Sequence, residues 1–261
     1  LCNLTIKIKF QFTTTVFTLP KFYFMLLMYC GFLPTIQAQN YAHSTIWTRF
    51  QVSASLPKRW DIMTGLHWRR QNNFVHSKLN FWKEPLLSGV QVQLLRRNKA
   101  QTVAFIPIQI NYFLSNTLLG REEDFSTPQN REWRASVGIE FTQKVRPKLI
   151  FRERLLQEFR FFRSNRDQPV GRIRGRWQAS YRWRSSVSIN AITELVIHNP
   201  PQINGLKPFR FHQFWLGGSL LWRLSSTLNL ETGYTIVKTQ RSTLIETDFQ
   251  NVINLNLFLR L

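Results

Sequence analysis

Cysteine is nearly absent: Cys2 and Cys30 are the only two in 261 residues. Acid is scarce too, with 14 Asp+Glu against 35 Lys+Arg and a formal net charge of +21. After residue 38 no apolar run reaches about 18 residues, which excludes a transmembrane helix from that part of the chain. The five histidines, His43, His67, His76, His198 and His212, show no metal-ligand spacing. No Gly-rich phosphate loop, zinc motif or nucleophile elbow occurs. No repeat at a period of about 20–50 residues and no low-complexity tract is present, which reads as one domain. These absences predict no metal, no cofactor and no enzymatic activity.

What is present begins with an export signal. Residues 19–38 read LPKFYFMLLMYCGFLPTIQA. Lys21 supplies a positive start, Phe22 to Leu33 an apolar run too short to span a bilayer, and Pro34 a helix break before small Ala38. The expectation is a secretory signal peptide over 19–38 within an upstream segment 1–38. Its removal takes Lys7, Lys9 and Lys21 and no acid, which lowers the net charge from +21 to +18. Both cysteines leave with it, so residues 39–261 hold no disulfide and no thiolate metal site.

Across 39–261 the polar and apolar residues alternate with period two. In 46–56 Ile46, Phe50, Val52, Ala54 and Leu56 oppose Arg49, Gln51, Ser53 and Ser55. In 60–70 Trp60, Ile62, Leu66 and Trp68 oppose Asp61, His67 and Arg69. In 100–114 the reading puts Ala104, Ile106, Ile108, Ile110, Tyr112 and Leu114 on one face against Gln101, Gln109 and Asn111. The pattern continues to 249–261, where Ile253, Leu255, Leu257 and Leu259 oppose Asn254, Asn256 and Arg260. Such alternation means strands with one wet and one apolar face; an amphipathic helix would space its apolar residues three and four apart.

Tight turns such as Arg97-Asn98-Lys99, Ser185-Ser186 and Ser225-Ser226 alternate with longer loops such as 115–130 and 199–208. That rhythm predicts an all-β, transmembrane, antiparallel up-and-down barrel over 39–261, crossing the bacterial outer membrane many times. Strands of about 12 residues at about 3.3 Å rise and about 45° tilt cover about 28 Å of membrane normal. Eleven segments are counted if 73–96 holds one strand. Splitting that region at Glu84-Pro85, with a weak strand near 73–83, gives twelve. Bacterial single-chain barrels have even strand numbers, so twelve is the expectation and ten the alternative.

The stretch VGRIRGRWQASYRWRSS, 170–186, carries the most chemistry. Arg172, Arg174, Arg176, Gln178, Ser180, Arg182 and Arg184 alternate with Ile173, Gly175, Trp177, Ala179, Tyr181 and Trp183. In a barrel the apolar row meets lipid and the arginines meet the lumen. A slip of one residue would expose five arginines to hydrocarbon, at about 2–4 kcal/mol each near the midplane. The predicted lumen-lining charged network is Glu132, Arg134, Glu140, Arg152, Arg154, Glu158, Arg160, Arg172, Arg174, Arg176, Arg182, Arg184 and Glu194. Arginine bonds carboxylates bidentately, so the network reads as a structural Arg–Glu lattice or as an electropositive surface for anions. The predicted aromatic girdle is Trp133, Trp177, Tyr181, Trp183 and Tyr234.

The segments RERLLQEFRFF (152–162), RIRGRWQASYRW (172–183), ITELVIHN (192–199) and RFHQFWLGGSLLWRLSSTLNLETGY (210–234) resemble a family of Gram-negative outer-membrane proteins common in Bacteroidetes, domain of unknown function 2490. The matching positions are Arg154, Glu158, Arg160, Arg172, Arg174, Glu194, Gln213, Gly217, Glu231, Gly233 and Tyr234. IWTRFQVSASLPKRWDIMTGLHWRR (46–70) is similar to the family's opening strand pair. The closing NLNLFLRL resembles the terminal strand that barrel-assembly machinery recognises, but ends in Leu261 where an aromatic is usual. The resemblance implies an outer-membrane barrel and no known activity.

Partners expected are outer-membrane lipid, the barrel-assembly machinery during biogenesis and an anionic solute in the lumen, with no nucleic acid. The functional expectation is a porin-like narrow pore favouring anions, or a structural or partner-binding barrel. Two alternatives stand beside it. One is a lipid-modifying barrel enzyme with Glu194 and His198 near a rim; the other is a soluble nucleic-acid-binding β-protein suggested by charge alone.

Overall fold

Period-two segments in this chain become long strands. The computed structural model describes residues 39–72, 84–100, 102–120, 122–163, 170–199, 210–241 and 246–261. Eleven strands lie among them: β1 (Gln39–Leu56), β2 (Trp60–Gln71), β3 (Glu84–Arg97), β4 (Val103–Ser115), β5 (Asn130–Arg146), β6 (Leu149–Phe162), β7 (Val170–Arg182), β8 (Val187–Asn199), β9 (Arg210–Arg223), β10 (Leu228–Gln240) and β11 (Glu246–Arg260). They form one closed barrel in which each strand pairs with its neighbours in sequence and β11 closes on β1. The expected signal peptide lies outside the described residues.

Two expectations change. The count is eleven, where twelve or ten was expected. The weak strand near 73–83 falls outside the described residues, but β2 and β3 pair directly and antiparallel, from Trp60↔Arg96 to Gln71↔Glu84. The sheet therefore passes from β2 to β3 with nothing between. An odd count also reverses the closing contact. Consecutive antiparallel strands alternate in direction, so the eleventh runs with the first, and β1 pairs with β11 in parallel over Gln39↔Glu246 to Ser53↔Arg260. The barrel is not antiparallel throughout.

One end carries tight turns, built by local chemistry. Asn98 Oδ1 accepts the backbone N–H groups of Thr102 and Val103 at 2.9 and 3.2 Å, fixing the β3–β4 turn. Ser225 Oγ accepts those of Thr227 and Leu228 in the β9–β10 turn. Between β1 and β2, Trp60 N–H donates to Pro57 O across Lys58 and Arg59, which have φ of 57° and 67°. Two successive positive φ values make a type I′ turn, whose twist suits a hairpin but which favours Asn-Gly over side chains of this size. The other end, the loop end, carries the longer connections.

The faces are sorted by burial. Leu66, Phe105, Leu155, Leu216 and Ile253 are each more than half exposed, while Gln93, Glu132, Glu158 and Glu194 are buried. One segment departs from the expected alternation. The register shifts between Ile106 and Gln109, where β4 carries one residue more than β3 and β5. Pro107 sits at this bulge, where its missing N–H costs no ladder bond. The bulge turns Ala104 and Ile106 inward, out of phase with Ile108 and Ile110, which stay exposed. Ala104 and Ile106 then pack with Leu95 and Leu156 as an apolar cluster inside the wall. Gly138 makes room for it, since a Cβ there would lie 2.5 Å from a Leu156 methyl.

Candidate functional site

The buried faces of β5 to β8 carry a chain of ion pairs set by cross-strand register. Glu132 on β5 accepts Nε and Nη2 of Arg134, two residues along its own strand, at 2.8 and 2.9 Å. It also accepts both from Arg160 on β6, with Nη2 at 2.9 Å. Glu158 on β6 lies directly opposite Arg172 on β7 and accepts its Nε–H. Arg174 reaches Glu158 through Nη1 at 3.2 Å and Glu194 on β8 through Nε at 2.9 Å. Nearer the turn end, Arg154 donates Nε to Glu140 Oε2 at 2.9 Å, again from directly opposed positions. Charge-assisted pairs of this kind are what allow carboxylates to be buried at all.

Nine of the thirteen predicted network residues thus meet in ion pairs: Glu132, Arg134, Glu140, Arg154, Glu158, Arg160, Arg172, Arg174 and Glu194. The other four are placed differently. Arg176 shares the inner face and stands opposite both Arg154 and Glu194 in register, with no ion pair among the described contacts. Arg152 is exposed toward the turn end. Arg182 ends β7 and is exposed, and Arg184 lies in the following turn with its guanidinium 5.0 Å from the Trp183 ring centre. Strand length explains the last two, because β7 stops before the alternation in the sequence does.

The predicted girdle divides in the same way. Trp133 is exposed near the loop end, with its ring centre 4.8 Å from that of Tyr112, and Tyr181 and Trp183 are exposed at the turn end. Trp177 sits further up β7, its indole covering Gly175 so closely that a Cβ there would meet it at 2.7 Å. Tyr234 is at the middle of β10, where its hydroxyl donates to Asn251 Oδ1 at 2.6 Å. These two are mid-wall residues.

Several site residues escaped the sequence reading. Trp47 on β1 and Trp215 on β9 turn inward and meet edge-on, with ring centres 5.0 Å apart, beside Val237 and Val252. Arg69 of β2 lies 3.7 Å over the Trp47 ring. His198 and His212 stack at 3.8 Å. Glu194 is engaged by Arg174 and His198 by His212, so the suggested Glu194/His198 couple is divided between two separate contacts.

The loop end has its own polar assembly. Gln71 donates to Thr117 O at 2.9 Å and accepts Leu119 N–H at 3.0 Å. Gly120 N–H donates to Asp124 Oδ2 at 2.9 Å, and Arg241 binds both Asp124 and Asp248. Strands β5 and β10 stand five places apart in a ring of eleven. The β4–β5 connection therefore reaches across the mouth to the far wall. Burial opposes the charge of Arg241, but hydrogen bonds and attraction from Asp248 and Asp124 outweigh it and hold the guanidinium above its ordinary pKa.

The family model described as "Protein of unknown function (DUF2490)" matches residues 44–247, well over half of the chain. No curated protein and no solved structure matches.

Proposed function

Since the chain belongs to the DUF2490 family of proteins of unknown function, we propose from its geometry that it is a non-enzymatic, integral outer-membrane β-barrel whose narrow, arginine-rich lumen takes small anionic solutes. The observation that carries this reading is the sorting of side chains between the two faces of a closed wall. Leu66, Phe105, Leu155, Leu216 and Ile253 are each more than half exposed on the outside. In water, so large an apolar surface would drive association; in a bilayer it is the matching surface. Glu132, Glu158, Glu194 and Arg172 are buried. A closed wall satisfies its own backbone groups, the condition for crossing hydrocarbon with strands.

Anion preference follows from the imbalance of charge. Arginines outnumber carboxylates along β5 to β8, and Arg176 and Arg69 have no ion pair among the described contacts. A cation entering such a lumen is repelled, whereas an anion is drawn in. The same placement argues against a nucleic-acid surface, because guanidiniums such as Arg172 face away from anything outside. Outer-membrane lipid and the assembly machinery are the partners of this reading, and export would run through the signal at 19–38.

Planar-bilayer recording of the refolded protein tests it, with a small, anion-selective conductance expected. A silent protein, or cation preference, overturns the pore.

A further inference from the structure

At the loop-end half of the barrel the inner wall borders a cavity of about 240 Å³. Five guanidiniums line it, from Arg69, Arg134, Arg160, Arg172 and Arg174. Three carboxylates stand against them, Glu132, Glu158 and Glu194, each bonded to one or more of those arginines. Five against three leaves two positive charges in excess. Arg69 has no carboxylate partner among the described contacts and rests on Trp47 instead. A guanidinium carries five N–H donors in a planar fork. Arg172 donates Nε–H to Glu158, and Arg160 donates Nε–H and one Nη2–H to Glu132. Each has donors left over for a further oxyanion.

The cavity is also apolar on one side. Trp47 and Trp215 bring their edge-on pair to it, joined by Val237 and by Leu118 of the β4–β5 connection. Its volume is far more than a single water needs. That suits a head group and one ring.

We infer that this cavity is a binding site for a small organic phosphomonoester. The dianionic head would lie among the Arg69, Arg160, Arg172 and Arg174 guanidiniums, and a flat apolar body against Trp47 and Trp215. A phosphomonoester carries about −1.5 to −2 charge near pH 7, which matches the excess in the cavity. Guanidinium forks suit its oxygens in bidentate pairs. The inference deepens the anion-taking reading above and names the substrate class of that interior.

The test titrates the folded full-length chain, in detergent micelles, with phenyl phosphate, reading heat and tryptophan fluorescence. Saturable one-to-one binding is expected, at least tenfold tighter than inorganic phosphate or benzoate, with none for phenol. Arg69→Gln weakens it at least tenfold, while Arg182→Gln, exposed at the turn end, leaves it unchanged. The ligand series uses the unaltered chain, so it decides the matter even if Arg69→Gln does not fold. Absence of saturation, phenol binding as tightly, or a folded Arg69→Gln variant with full affinity overturns the site. Anion-selective conductance without phenyl phosphate binding discards the site and keeps the pore. Arg69-dependent binding in a silent or cation-selective barrel discards the pore and keeps the site.

Discussion

Glu158 of β6 and Arg172 of β7 face each other directly across their ladder, and Arg174, two residues further along β7, donates to the second Glu158 oxygen at 3.2 Å. One buried carboxylate thus holds two cations, Arg172 buried and Arg174 half-buried. Glu158→Gln leaves Arg172 without its counter-ion and takes one of two carboxylates from Arg174, and should destabilise the barrel by about 3–5 kcal/mol, as when one partner of a buried pair is removed. Replacing Glu158 and Arg172 together with methionine should cost much less, because Arg174 keeps Glu194. Denaturant unfolding in micelles, followed by tryptophan fluorescence, checks both. Equal losses for the single and the paired change would contradict this ordering.

The outer belt gives a depth-dependent prediction. Leu155 lies near the middle of β6 and is 53% exposed, while Tyr181 is exposed near the turn end of β7. Leu155→Arg should cost about 2–4 kcal/mol when folding is measured into lipid bilayers, and Tyr181→Arg about 0–1 kcal/mol. Equal costs at the two depths would mean that hydrocarbon does not surround the wall.

Much of this layout was legible in the sequence, since it depends on local periodicity. The rows from Arg172 to Arg176 and from Glu132 to Glu140 lie on the buried face because alternate residues of a strand share a face. What escaped depends on contacts between distant segments. Ala104 and Ile106 continue an unbroken alternating run in the sequence, and only pairing with β3 and β5 shows the extra residue at Pro107 that turns them inward. Trp47 occupies the polar phase of its strand, and that phase is the signal that it turns inward. The bond of Asp124 to Arg241 joins residues 117 positions apart, and no local pattern announces it. The parallel closure follows from strand parity, which a miscount of one inverts.

That Asp124–Arg241 contact should hold the β4–β5 connection across the mouth. Asp124→Ala removes the side-chain acceptor of Gly120 N–H, leaving it Leu118 O at 3.1 Å, and one carboxylate of Arg241. Hydrogen exchange at Gly120 and Leu119 should accelerate about 10–100-fold, in line with about 1.5–3 kcal/mol for hydrogen bonds to a charged group. Amides in the middle of β10 serve as the control and should not change. Uniform acceleration across the barrel would point to general destabilisation instead.

The β1–β2 turn offers a stabilising change. Lys58 and Arg59 both hold positive φ, at roughly 1–2 kcal/mol each for residues with a Cβ. Lys58→Asn with Arg59→Gly supplies the residues this turn favours and should raise stability by about 1–2 kcal/mol in all. Unfolding midpoints of the two proteins under identical conditions measure it. A lower midpoint for the variant would show that the two side chains contribute contacts worth more than the backbone relief.

Eleven staves set the first and the last pointing the same way. β1 starts at the loop-bearing rim beside Glu246, and β11 finishes at the opposite rim, where Leu261 N–H donates to Ser53 O at 2.8 Å. An even-numbered wall brings its polypeptide back to the side it came from; this one makes a net traverse. If the wall spans a bilayer as proposed, labels on Asn40 and on Leu261 would therefore sit in different compartments of a sealed vesicle.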